Sequence, residues 1–434
     1  MSMARTLRPD ASYEERREAI YGPLRQEGIF TWDCLYDQEY ALAGLYRLER
    51  TQLAEMRKAA EALGRIYART VRIVQQGEPA LLAELGLPPA SFGAIRLRFD
   101  EDIPTLIGRF DFALTPQGLK MLEFNSDTPT GIVEAFHANG RVCAAYGEED
   151  PNEGCSGDFR QAFKRMLDLY REAGYASEHV VFSSLDWHEE DAGTTRYLLK
   201  QSGIAGAEFA ALSDLRVEGD RIWAQPNADD EETAAGCQTA AGCPIDVLYR
   251  LHAIEKLAED RDTDGYPTGE HVLKLIAARK LAIINPPSGF AAQTKALQAL
   301  IWNLHQAGEF YTEEEHETIE AYMLPTFMEP CFPEGTPYVA KPILGREGSG
   351  VTIYAGSGDI AEASGEDEYG DQPMVYQQFA ELPRIRVETL NGPYDGWLLW
   401  GCFLIDGRSS AVVARVGGSI TNNLSYYLPS SVIG

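Results

Sequence analysis

Between residues 50 and 76 the apolar positions Leu53, Met56, Ala60, Leu63, Tyr67, Val71 and Val74 recur at steps of three and four. That period predicts a long amphipathic helix ended by Gly77. The first hundred residues read as helical, and then the period falls to two. In Arg109-Phe110-Asp111-Phe112 and in Leu122-Glu123-Phe124-Asn125, polar and apolar residues alternate. Strand side chains alternate between faces, so Arg109, Asp111, Glu123 and Asn125 occupy one face and Phe110, Phe112, Leu122 and Phe124 the other. Thr115-Pro116-Gln117-Gly118 is a run of turn formers. Folding about Gln117 sets Asp111 opposite Glu123 and Arg109 opposite Asn125. Helical segments rich in Ala, Tyr and Arg follow, to about Gly174.

From His179 the pattern changes again. His179-Val180-Val181-Phe182-Ser183-Ser184 reads as a buried strand, 192–203 as a helix, and 207–211 and 246–249 as further strands. This alternation predicts a small α/β domain. The polar stretch 229–242 reads as an exposed loop, and Gly265-Tyr266-Pro267 as a boundary. A helix is expected from Lys295 to Gln306, and strands dominate after Pro333. Among these, Tyr338-Val339-Ala340-Lys341-Pro342-Ile343-Leu344 and Val351-Thr352-Ile353-Tyr354 flank Gly345-Arg346-Glu347-Gly348-Ser349-Gly350. No internal repeat or long low-complexity tract interrupts the chain.

Chemistry enters with the first hairpin. Like charges directly opposite each other on a sheet repel, so an Asp–Glu pair asks for a cation. Oxygen donors from Asp111, Glu123 and Asn125 suit a hard ion, above all Mg²⁺ holding phosphates. Taken alone, the same alternation is what a half-exposed strand with solvated carboxylates shows. The glycine-rich loop adds backbone N–H groups that can approach phosphate closely. Lys341 before it and Arg346 within it supply positive charge. It is neither a P-loop nor a Rossmann fingerprint, because no Gly-Lys-Ser/Thr and no helix follow. Together with Lys295, these elements make a set of tools for ATP.

At 434 residues the chain has room for two or three cored domains. No stretch is apolar enough to cross a membrane, and the charged start of the chain has no apolar leader core, which predicts a cytoplasmic protein. Its 38 Lys+Arg against 66 Asp+Glu give a formal charge of −28. That balance repels nucleic acid and anionic lipid and is permissive toward a polycation such as a polyamine. The seven cysteines, Cys34, Cys143, Cys155, Cys237, Cys243, Cys331 and Cys402, show no zinc or redox spacing, so reduced thiols are expected.

The stretches Arg109–Phe112 and Leu122-Glu123-Phe124-Asn125-Ser126-Asp127-Thr128-Pro129-Thr130 resemble the signature of the glutathionylspermidine synthase family, in its synthetase domain. The same order of features continues through Lys295 to Trp302, Tyr338 to Gly350 and Pro373-Met374-Val375-Tyr376-Gln377, so the resemblance runs from about Phe30 to Gly434. It implies an α/β (α+β) architecture: an ATP-grasp fold in permuted arrangement, with an α/β pre-ATP-grasp substrate domain and a helical N-terminal region. The implied divisions are 1–90 for the helical region and 91–176 for the metal-site hairpin and helices of the ATP-grasp core. Residues 177–264 would form the substrate domain, and 265–434 the nucleotide-binding domain.

The implied activity is carbon–nitrogen ligation: ATP phosphorylates the glycine carboxylate of glutathione, and an amine of spermidine attacks the acyl phosphate. By position, Asp111, Glu123 and Asn125 would hold a pair of Mg²⁺ ions. Lys295, Lys341, Arg346 and Gly348 would bind nucleotide phosphates, with Gln377 near the adenine. Arg109 and Arg346 would be catalytic, Arg109 by orienting the acceptor carboxylate. Thr130 and Arg415 fall on the substrate side, and Asp127 and Glu255 are candidates for the amine or glutathione, with a structural role as the alternative for each. The chain departs from the family pattern at Gly131 and around Glu255, in His252, Ala253 and Lys256. No amidase segment precedes the synthetase region, so product hydrolysis is not expected, and the resemblance leaves room for a homodimer. The rival readings are a related ligase with another acid and amine, and a nucleotide-binding regulatory protein without turnover.

Overall fold

The structure, a computed structural model, describes residues 7–8, 10–100, 102–225, 242–365, 368–422 and 424–434. The predicted long helix spans Arg50–Gln76 and stops at Gly77, whose N–H donates to the Val74 carbonyl. Its buried side, including Leu63, Tyr67 and Val71, packs on an antiparallel sheet. In spatial order that sheet runs Tyr426–Leu428, Arg408–Gly417, Gly392–Ile405, Ile107–Thr115 and Gly118–Asn125. Arg384–Thr389 pairs with the first half of Gly392–Ile405. The hairpin read from the sequence is therefore an edge hairpin of a sheet completed by the end of the chain.

Its register agrees with the sequence at the site: Asp111 pairs with Glu123 and Arg109 with Asn125. Beyond them the register shifts, and Phe112 pairs with Met121. Leu122 is thus the extra residue of a β-bulge, which re-aims a side chain. The expectation that Leu122 shares the Phe124 face is corrected: it packs against Ala113, Leu382 and Leu399 and lines the cleft. Phe110 and Phe124 stack with ring centroids 3.8 Å apart, and the Tyr67 ring meets both edge-on.

The α/β unit is a parallel sheet in the order Ala282–Ile284, Val247–Arg250, Val180–Ser184, Glu208–Ala211, with helix Glu189–Ser202 connecting the last two. Val181, Leu248 and Ile283 enter one core, while Val180, Phe182, Tyr249 and Ile284 enter another. Burial on both faces explains the unbroken apolar run at 180–182. The edge strand Ala282–Ile284 comes from beyond Gly265, where the sequence suggested a boundary. A small antiparallel sheet (Leu215–Glu218, Arg221–Ala224, Cys243–Pro244) was not anticipated. The loop expected over 229–242 lies, except for Gly242, outside the described residues.

A five-stranded antiparallel sheet runs Thr326–Phe327, Met374–Gln378, Tyr338–Pro342, Thr352–Tyr354, Ile360–Ala363. The glycine-rich loop joins its third and fourth strands. Helix Lys295–Ala307 begins at Thr294, whose Oγ1 accepts from the Ala296 N–H and donates to the Leu85 carbonyl. The last strand, Ser430–Ile433, lies parallel to Tyr46–Glu49. The architecture is mixed α/β. Among the described residues, no helix is long and apolar enough to cross a membrane. One cysteine expectation is corrected: Cys243 is disulfide-bonded. Spacing in sequence says nothing of the Cα separation that decides whether two thiols bridge.

Candidate active site

The polar face of the hairpin forms one wall of a cleft whose opposite wall is the five-stranded sheet and its glycine-rich loop. The cleft encloses about 1280 Å³ including the solvent at its mouth. Arg109, Asp111, Glu123, Asn125, Thr130, Lys295, Lys341, Arg346, Gly348, Gln377 and Arg415 all line it, so elements far apart in sequence converge.

Asp111 is almost fully buried and gripped from two strands. Arg109 donates from Nε to its Oδ1 (2.7 Å) and from Nη2 to Oδ2 (3.0 Å). Arg415 reaches the same Oδ2 at 3.0 Å from two strands away on the same face. Burial works against the charge of Arg109, but Asp111 beside it holds its pKa above the ordinary value. Room for Arg109 comes from Gly401, which pairs with Asp111; a Cβ there would lie 2.7 Å from Arg109 Cδ. Arg109 also donates to the Thr130 carbonyl at 2.6 Å, tying the strand to the loop that follows the hairpin.

Glu123 faces Lys295 at 3.3 Å. Burial alone would raise its pKa, but Lys295, Lys341 and Arg109 outweigh it and bring the carboxyl down to about 2. Lys295 also donates to the Gly345 carbonyl at 2.6 Å, which fixes the start of the loop. Lys341 donates to Gln377 Oε1 at 2.7 Å, and burial, opposed by Glu123, lowers its pKa to about 8. Gln377 in turn donates to Gln298 and Thr326, so it holds Lys341 in place. Gly348 has φ +72°, and a Cβ on it would fall 2.3 Å from the Thr421 carbonyl oxygen, so only glycine lets the loop settle there.

Arg346 crosses the cleft floor, donating to Glu255 (2.8 Å) and to Thr128 (2.9 Å). Its Nη2 is buried without a partner, as is Oε2 of Glu255. An orphaned guanidinium donor in a cleft wall is suited to an anionic oxygen. Asp111, Glu123 and the Asn125 carbonyl offer oxygens on one face; the Asn125 amide lies 3.4 Å from Asp111 and 3.3 Å from Glu123. Among the described residues no cluster of three or more His, Cys, Asp or Glu forms a metal cage. Two carboxylates and an amide fit Mg²⁺, which takes one or two protein carboxylates and fills its shell with water and phosphate.

Asp127 is not brought into the cleft. It is buried and receives two bonds from Arg250 and one from the Ile254 N–H, so it ties the hairpin loop to the parallel sheet. Glu255 stands behind Arg346 instead of lining the cleft. His252 pairs with Asp260 at 2.8 Å and does not line the cleft.

Sequence reasoning missed a second pocket that shares Arg109, Thr130, Arg415 and Glu347 with the cleft and whose further lining includes Tyr36, Tyr40, His188, Glu190 and Asp191. Beneath it Glu134 is fully buried, with Oε1 accepting from Trp32 and Tyr40 and Oε2 unpartnered. Burial raises the Glu134 pKa. Burial, Glu134 and Asp191 together push Glu190 up to about 8. Glu134 stands at the head of a π-helical turn, Glu134–Ala138, a feature frequent at functional sites. The signal was present: His188-Glu189-Glu190-Asp191 follows the carboxyl end of a parallel strand, where open α/β sheets bind ligands.

A sequence profile described as glutathionylspermidine synthase preATP-grasp matches residues 16–433. The chain is 26% identical to a putative acid–amine ligase of Haemophilus influenzae, over 75% of this chain and 74% of that one. It is 22% identical to the bifunctional glutathionylspermidine synthetase/amidase of Escherichia coli, over 82% of this chain and 56% of the relative. With the glutathionylspermidine synthase of Crithidia fasciculata it shares 24% identity, over 89% of this chain and 58% of the relative. The chain thus spans a little over half the length of those last two. In fold, it resembles a glutathione synthetase-like effector (GSS30) from Globodera pallida, with a TM-score of 0.59, 14% identity and 98% of each chain covered. With a family profile matched along nearly all of its length, the chain belongs to the glutathionylspermidine synthase preATP-grasp family, a family of amide-forming ligases.

Proposed function

We propose that the cleft is the active site of an ATP- and Mg²⁺-dependent carboxylate–amine ligase built on a permuted ATP-grasp fold. One observation carries this reading: five cations from separate elements surround Asp111, Glu123 and Asn125, and a pocket bearing Glu190, Asp191 and Glu347 opens beside them. A carboxylate is a poor electrophile at neutral pH. Phosphorylation supplies a leaving group, and phosphoryl transfer needs positioning and positive charge above all. When bound, Mg²⁺ at Asp111, Glu123 and Asn125 would neutralise phosphate charge.

In this reading Lys295, Lys341, Arg346 and the loop amides bind the nucleotide phosphates, and Arg109 and Arg415 orient the acid. The acid oxygen bonds to the γ-phosphorus as ADP leaves. The amine lone pair then attacks the acyl carbon, and inorganic phosphate departs as the amide forms. Ammonium groups ordinarily have pKa values of about 10, so the amine must shed a proton. Asp191, in the adjoining pocket, attracts the cation, and Glu190 beside it takes that proton once its own is lost as pH climbs through about 8. A peptide carboxylate such as glutathione and an amine such as spermidine fit this division. A different acid–amine pair is the second reading, favoured by the structural use of Asp127 and the His252–Asp260 pair on the substrate side.

ADP release measured against acid and amine pairs tests the proposal. Turnover with glutathione plus spermidine supports the first reading, and turnover with other pairs alone supports the second. Nucleotide binding without substrate-stimulated ADP release would sink both. Lys341→Ala and Glu123→Ala should each lower turnover by at least ~10²-fold, the scale of removing one charge from a preorganised site, with folding intact by circular dichroism.

A further inference from the structure

The loop that leaves the hairpin is held by a buried residue that does not line the cleft. Gln293 ends helix Pro287–Gln293 and is 6% exposed. Its Oε1 accepts from the Ser126 N–H at 2.8 Å and from the Asp127 N–H at 3.0 Å. A side-chain amide carries an oxygen at one end and an NH2 at the other. Turning Gln293 over would set its NH2 against those two backbone donors and leave both buried without an acceptor. Its Nε2 is therefore fixed, and it faces Oδ1 of Asn125 at 3.5 Å.

That contact bears on how Asn125 stands. With Oδ1 toward Gln293, its Nδ2 lies between two carboxylates, 3.4 Å from Asp111 Oδ2 and 3.3 Å from Glu123 Oε1. The arrangement suits the carboxylates by themselves, since a donor between them offsets their repulsion. It is the wrong way round for a metal ion, which an amide binds through its oxygen. Coordination therefore requires the Asn125 amide to turn over. Its Nδ2 would then meet Nε2 of Gln293, donor against donor.

We propose that Gln293 is a positioning residue that fixes which end of the Asn125 amide faces Asp111 and Glu123, and so lowers the affinity of the site for a bare divalent cation. The inference rests on the ligase reading for the ion. Gln293 touches neither ion nor substrate and acts through Asn125, as residues behind a metal ligand do. A site restrained in this way takes its ion together with phosphate oxygens, which bring ligands of their own.

Mn²⁺ stands in for Mg²⁺ in the test, with free Mn²⁺ read by electron paramagnetic resonance on the full chain at pH 8 without nucleotide. Gln293→Glu keeps an acceptor for the Ser126 and Asp127 N–H groups and puts a second acceptor where the opposing donor stood. Kd for Mn²⁺ should fall about tenfold, the scale on which residues behind a ligand tune metal affinity. A merely structural role would weaken Mn²⁺ binding when Gln293 is changed, the opposite sign. An added negative charge would by itself attract the cation, and a double-mutant cycle separates the two effects. In an Asn125→Ala background the same Gln293→Glu change should move Kd less than about twofold. An equal fall in both backgrounds, or none in either, would overturn the positioning role. Selective ¹⁵N labelling of asparagine gives a second readout, the side-chain NH2 signal that Asn125→Ala removes. It should shift on Mg²⁺ addition, at about tenfold lower concentration in Gln293→Glu than in the wild type. A signal that stays in place at saturating Mg²⁺ would overturn the turning of the amide. Mn²⁺ bound with ATP but indifferent to Gln293→Glu would leave the ligase standing without this inference, whereas no Mn²⁺ binding even with ATP would overturn the metal-dependent reading itself.

Discussion

Glu190 keeps its proton far above the ordinary carboxylate range because burial and the neighbouring Glu134 and Asp191 disfavour its charge. An unfolded chain would release that proton near 4.5, whereas the folded one holds it to about 8. Between those values the folded state binds more protons, so this group's contribution to stability falls as pH rises. Capture of an ammonium runs the other way, since the carboxylate forms only as pH climbs through about 8. KM for the amine should therefore fall across that range, and Glu190→Gln should flatten the profile and raise stability at pH 8; an unchanged pH profile in the variant would exclude Glu190 as the group responsible. At this scale the sequence was informative where a side chain's partner lay on the same hairpin, as with Asp111 and Glu123. It was silent where the partner was distant: Asp127 looked like a substrate contact because nothing in its neighbourhood announces Arg250.

The hairpin divides its labour between faces. Phe110, Phe112 and Phe124 anchor it to the long helix, leaving the opposite face free to carry Arg109, Asp111, Glu123 and Asn125. Phe110→Ala would leave a cavity between Phe124 and Tyr67 and should cost about 3–5 kcal/mol, read as a lowered midpoint in urea. Helix and strand positions were legible because their periods are strong, as in Arg50–Gln76 and Val180–Ser184. The orientation of Leu122 was not, since a bulge depends on how two strands meet and leaves no mark in an alternating pattern. Glu134 and Glu190 escaped notice for a different reason: they sit on separate helical turns and become a pair only when the sheets pack.

Over the whole molecule, a chain of formal charge −28 gathers Arg109, Lys295, Lys341, Arg346 and Arg415 in a single cleft. In the proposed reading, that contrast of sign steers an anionic nucleotide inward. The buried Asp127–Arg250 pair fastens the loop after the hairpin to the parallel sheet, and the part-buried Glu255–Arg346 pair fastens the short helix after that sheet's Val247–Arg250 strand to the glycine-rich loop. Asp127→Ala would strand Arg250 without its counter-charge and should destabilise the protein by about 3–5 kcal/mol. Unchanged stability with a raised amine KM would return Asp127 to the substrate.

The strand order also has a consequence for synthesis on the ribosome. The strand that carries Asp111 takes its inner partner from Gly392–Ile405, and Arg415 arrives on the strand after that. As the nascent chain emerges, the hairpin must wait for most of the polypeptide before its sheet can close, with Phe110, Phe112 and Phe124 lacking their full cover. Pairings of such sequence separation form slowly and leave apolar surface open to aggregation. A product that stops before Gly392–Ile405 therefore carries both carboxylates without Arg415 beside them, and the charged residues of the cleft are complete only once Arg408–Gly417 has been made.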